Sequence, residues 1–96
     1  MLEILVTPTF AKAVKKLRSK DKMVVDKAVK AIATEPAIGE EKKGDLAGIF
    51  VHKFKLNKQE VLLAYQLYPE KLSPVSVRLL SLGSQENFYA ELKRLS

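Results

Sequence analysis

The sequence predicts an α+β fold: an N-terminal strand, an antiparallel helical hairpin, a three-stranded antiparallel meander completing a four-stranded sheet, and a C-terminal helix. Three observations carry this prediction. Residues 8–34 place apolar side chains at helical spacing in two runs parted by a short polar break. Residues 49–82 hold three runs of period-two alternation divided by turn residues. Helical spacing then returns at the C-terminal end, after Gly83-Ser84.

The elements follow in order. Leu2 to Thr7 is a short apolar strand that stops at Pro8, and proline just inside a helix start, with Thr7 or Thr9 as cap, opens the first helix. Phe10, Val14 and Leu17 form its apolar stripe before the chain frays at Ser19-Lys20. Asp21 is the expected cap of a second helix reaching Thr34, with Val25, Ala28, Val29 and Ile32 as its stripe; Glu35-Pro36 ends it. Residues 36–48 change composition and read as a glycine-bearing loop, with Leu46 turned in to the core. Gly44 and Gly48 lack the Gly-Lys-Ser/Thr ending of a phosphate-binding loop.

Ile49 to Leu56 is the first meander strand. Alternation sends Phe50, His52, Phe54 and Leu56 to one face and Ile49, Val51, Lys53 and Lys55 to the other. The rise of a strand puts the two ammonium groups about 6.5–7 Å apart, a spacing suited to neighbouring phosphates. Asn57-Lys58 is the expected turn into a strand from Glu60 to Tyr68, apolar on both faces and so predicted to be central. A third strand runs from Val75 to Leu82, with Val75, Val77 and Leu79 facing away from Ser76, Arg78, Leu80 and Leu82. Gly83 breaks it, and Ser84 caps a helix from Gln85 to Leu95 whose stripe is Phe88, Leu92 and Leu95.

Ninety-six residues with 47% hydrophobic content make one domain, 1–96, able to build its own core. There is no cysteine, which excludes disulfides and thiolate metal sites. A single histidine among scattered carboxylates supplies no ligand cluster, so neither metal nor cofactor is expected. The opening residues lack a basic segment followed by an apolar run, and nothing is long enough to span a bilayer, so a cytoplasmic location is expected. Seventeen Lys and Arg against eleven Asp and Glu give +6, which favours an anionic partner such as nucleic acid, the ribosome or an acidic protein segment. His52 carries the side chain whose ordinary pKa lies closest to neutrality, but alternation sets it on the face opposite Lys53 and Lys55.

The order and spacing of Lys43-Gly44-Asp45-Leu46-Ala47-Gly48, Val51-His52-Lys53-Phe54-Lys55, Leu63-Ala64-Tyr65-Gln66 and Leu82-Gly83-Ser84-Gln85-Glu86-Asn87-Phe88-Tyr89 resemble the RelE/ParE superfamily of bacterial type II toxins, over essentially the whole chain. The resemblance implies a toxin held inactive by a cognate antitoxin in a hetero-oligomer. RelE-type members cleave mRNA in the ribosomal A site without a metal; ParE-type members share the fold and inhibit DNA gyrase without catalysis. On the RelE pattern, Lys53 and Lys55 match the family's lysine pair and Tyr89 its C-terminal tyrosine; His52, at a position outside that pattern, is a further catalytic candidate as a substitute for a missing group. Arg78, Gln85 and Lys93 are then the candidate RNA contacts. Two positions depart from the pattern: Leu62 stands where relatives usually carry arginine, and Gln85 where Arg or His is frequent. These departures keep a gyrase inhibitor, or an inactive binding module of the same fold, as alternatives.

Overall fold

The structure, a computed structural model, describes residues 1–84 together with Phe88, Tyr89 and Leu92. Strands β1 (Glu3–Val6), β2 (Glu40–Glu41), β3 (Ile49–Leu56), β4 (Gln59–Tyr68) and β5 (Ser76–Ser84) form one mixed sheet in the order β1-β5-β4-β3-β2. The sheet thus has five strands rather than the four predicted. The extra one, β2, has two residues, too few to show periodicity in a sequence. β1 runs parallel to β5, with Ile4 opposite Val77, while β3, β4 and β5 are the expected antiparallel meander.

Helices α1 (Pro8–Lys15) and α2 (Ser19–Thr34) cover one face of the sheet. The Thr7 hydroxyl caps α1, accepting the Phe10 N–H at 3.3 Å, and also lies 2.8 Å from the Leu79 carbonyl as donor, tying the helix start to β5. α2 starts two residues before the predicted cap. Asp21 therefore sits inside its first turn, where a carboxylate suits the positive end of the helix. Asp21 is also buried, accepting the Asn57 Nδ2–H at 3.0 Å. Asn57 and Lys58 both have positive φ, 53° and 67°, as a two-residue hairpin turn requires. The bond to Asp21 fixes that turn against the helix.

Two apolar layers sandwich the sheet. Phe10, Val25, Val29 and Ile32 pack onto Phe50, Leu63, Tyr65, Val77 and Leu79 on the helical-hairpin side. On the other side Leu46, Ile49, Val51, Leu62 and Ala64 meet Phe88 and Leu92. Leu62, Leu63, Ala64 and Tyr65 are all fully buried, so β4 is the central strand its composition predicted. Phe88, Tyr89 and Leu92 have helical backbone; the remainder of the predicted closing helix, Leu95 included, lies outside the described residues.

β5 differs from its predicted alternation. It continues through Gly83 to Ser84, and a register shift between Ala64 and Tyr65 makes Leu80 an extra residue, a β-bulge. One extra residue flips the faces beyond it. Leu82 accordingly packs on the helical-hairpin side with Val77 and Leu79, not with Arg78.

Candidate functional site

Lys53 and Lys55 both project into solvent from β3, on the same sheet face as Ile49 and Val51. Their strand is held rigidly, since β3 pairs with β4 along all eight of its residues. Lys53 lies opposite Leu62 and Lys55 opposite Glu60. Leu62 is fully buried against the layer containing Phe88 and Leu92. The place where relatives carry an arginine is therefore core in this chain.

β2 completes the surface at the sheet edge. Glu40 sits opposite Val51, on the face that carries Lys53, and Lys42 donates its backbone N–H to the Ile49 carbonyl at 2.8 Å. The Lys42 ammonium lies 2.6 Å from Glu40 Oε1 and 5.5 Å from the centroid of the Tyr89 ring. The hydrogen bond and charge of Lys42 hold the Glu40 carboxyl below its ordinary pKa, and Lys53 adds a weaker pull in the same direction. Glu40 therefore feels both cations. Hydrogen bonding to Glu40 raises the Lys42 pKa; partial burial opposes this and the Tyr89 phenol supports it.

Tyr89 is half-buried, with its ring edge-on to Phe88 at 5.3 Å between centroids. With Lys43, Asp45 and Leu46 it lines a depression of about 290 Å³. Tyr89 thus shares the lysine face but stands near the Ile49 end of β3. Ile49 is four residues from Lys53, a run of about 13 Å along a strand.

The other sequence-predicted residues scatter. His52 is on the helical-hairpin face, stacked on Phe54 at 5.9 Å and 23°, and burial pushes its pKa down. It is not brought together with the lysines. Arg78 does share their face, but it sits opposite Gln66, whose other neighbour is Ile49, so it is two strands away from β3. Its guanidinium donates to the Tyr68 hydroxyl at 3.4 Å, and that hydroxyl donates to Gln66 Oε1 at 2.9 Å. Gln85 and Lys93 lie outside the described residues. Glu40 and Lys42 were missed from sequence because a two-residue strand in a charged loop has no pattern. The doublets Glu40-Glu41 and Lys42-Lys43 were the only signal. Among the described residues no group of His, Asp and Glu gathers to hold a metal ion, and no helix is long and apolar enough to cross a membrane.

Residues 4–93 match the family described as ParE-like toxin of type II bacterial toxin-antitoxin system. No curated protein matches the sequence. Among solved structures, a double arginine-to-alanine variant of the E. coli toxin RelE in the free state superposes with a TM-score of 0.71 at 24% identity, covering 99% of this chain and 98% of that one. The Mycobacterium tuberculosis toxin–antitoxin complex RelBE2 gives 0.70 at 22% identity over 88% and 98%. The same E. coli variant bound to an antitoxin RelB peptide gives 0.66 at 25% identity over 95% and 93%. Sequence and fold together define a toxin of the RelE/ParE superfamily. Within it, the chain belongs to the ParE-like toxins of bacterial type II toxin–antitoxin systems.

Proposed function

We propose that this toxin is a RelE-like, metal-independent endoribonuclease that cuts mRNA on the ribosome and is neutralised by a cognate antitoxin. The observation that supports the cleavage reading best is the exposed Lys53–Lys55 pair on a rigid strand, on the same sheet face as Tyr89. Cleavage requires the ribose 2′-oxygen to form a bond to the adjacent phosphorus while the bond from phosphorus to the 5′-oxygen breaks. The 2′-hydroxyl loses its proton and the departing 5′-oxygen gains one. Negative charge builds on the phosphorane between these events, and fixed ammonium groups stabilise it. In this reading Lys53 and Lys55 supply those ammonium groups, and the Tyr89 phenol, from the Ile49 end of the same face, assists proton movement. Arg78 extends the cationic face toward flanking RNA, with Gln85 and Lys93 as further contacts. His52 takes no part, because it faces the other way. The toxin–antitoxin complexes among the solved relatives support an antitoxin partner in a hetero-oligomer.

A second reading, a gyrase inhibitor without catalysis, is favoured by the full burial of Leu62, which removes a cation from the surface. Brief expression separates the two. Cleaved mRNA with arrested translation supports the nuclease, and DNA damage with stalled gyrase supports the inhibitor. Lys53→Ala combined with Lys55→Ala is expected to abolish growth arrest while leaving the folded stability within about 0.5 kcal/mol, as for exposed surface substitutions. Arrest that persists in the double variant refutes the nuclease.

A further inference from the structure

We propose that Lys42 is a third phosphate-binding cation of this surface and that Glu40 is its resident counter-ion, occupying in the free toxin the place of an RNA phosphate. The inference rests on the RNA-cleaving reading above. Four rows succeed one another on this face along the β2–β3 edge: Lys55, Lys53, Glu40 beside Val51, and Lys42 beside Ile49. Successive same-face rows are about 6.5–7 Å apart. Three of the four rows carry an ammonium group, and the one between Lys53 and Lys42 carries a carboxylate. A track of cations at that spacing fits a sugar–phosphate backbone, and a carboxylate within it is an acceptor anion standing where a phosphate oxygen belongs.

The two partners of the ion pair are unequal. The Lys42 side chain is 21% exposed and lies against the Tyr89 ring, whereas the Glu40 side chain is 73% exposed. Lys42 keeps its place through its packed stem when its partner leaves. Glu40 can swing into water. The arrangement supplies a cation on a face whose β4 position opposite Lys53 is the fully buried Leu62. It also puts that cation next to Tyr89.

The test uses ribosomes programmed with an mRNA made uncleavable by 2′-O-methyl groups, titrated with toxin across a series of salt concentrations. Lys42→Ala is expected to weaken binding about tenfold, the worth of one charge-assisted hydrogen bond. It is also expected to reduce the slope of log affinity against log salt by about 0.7, as loss of one phosphate contact does on single strands. Lys42→Arg should restore the slope. Glu40→Gln should tighten binding, because the competing anion is gone. Lys53→Ala serves as the reference, and thermal melting establishes that each variant is folded. If Lys53→Ala loses slope while Lys42→Ala and Glu40→Gln match the wild type, the proposal is overturned and the nuclease reading stands. If the wild type fails to bind, or no lysine variant changes the slope, the RNA reading falls and this proposal with it.

Discussion

His52 shows how one residue can carry the right chemistry in the wrong place. Its ring stacks on Phe54, and partial burial holds its pKa below the ordinary 6.5. Burial disfavours the charged imidazolium, so the unfolded chain takes up a proton at a higher pH than the folded one. The stability that neutral His52 permits is present above pH 6.5 and is lost as pH falls through the lowered folded value. His52→Gln is expected to flatten that acid-side loss, measured as urea midpoints at about pH 7.5 and 5.5. The same variant should retain growth arrest, since the lysines lie across the sheet. A variant with unchanged pH dependence assigns the loss to another group. For Lys53 and Lys55 the strand period alone fixed which face they occupy; for Tyr89 no such rule connects it to them, and only the packing of Phe88 and Leu92 brings it to that face.

At the scale of elements, the segment carrying the site is anchored by one phenol. Tyr65 is fully buried, stacked on Phe50 at 5.4 Å, donates its O–H to the Pro36 carbonyl at 2.6 Å and accepts the Gly39 N–H at 2.9 Å. Those bonds fix the chain immediately before β2, and so the position of Glu40 and Lys42. Tyr65→Phe leaves both backbone groups without that partner and is expected to cost about 1–3 kcal/mol in chemical denaturation. Gly39 has a different constraint from the usual turn glycine. A Cβ there would come within 2.6 Å of the Tyr65 hydroxyl, which is held on two sides and cannot retreat. Gly39→Ala should therefore destabilise the fold and weaken the toxin together, by displacing β2. A Gly39→Ala protein of wild-type stability and activity would show that the segment is not clamped. Neither residue announced this in the sequence: Tyr65 read as one more apolar strand position, and Gly39 as one of three loop glycines available for positive φ, whereas its φ is −82°.

For the molecule as a whole, the decisive property is where its charge lies. Net +6 is spread over the backs of α1 and α2 as well as the sheet, so composition favours an anionic partner without pointing to a surface. On the proposed RNA-binding role, one phosphate contact each from Lys42, Lys53 and Lys55 gives an expected slope near −2 for log affinity against log salt. Raising salt fourfold, from about 50 to 200 mM, should then weaken ribosome association roughly twentyfold from these contacts alone. The measurement is a salt titration of the toxin on programmed ribosomes; a flat response excludes a phosphate-dominated interface.

The sequence by itself determined the helical hairpin, the antiparallel meander, the central place of β4 and the faces of β3, because each rests on local periodicity or turn chemistry. It also carried the family, through the order and spacing of its segments. Tertiary structure decided the rest. Two residues of β2 became a strand only by pairing with β3, and a bulge at Leu80 reversed the faces of β5 beyond it. Leu62 became core because Phe88 and Leu92 share its layer. Arg78 was separated from the lysine pair, and Glu40 and Lys42 were brought beside it, by strand register. Register joins residues far apart in the chain, and no local pattern of side chains encodes it.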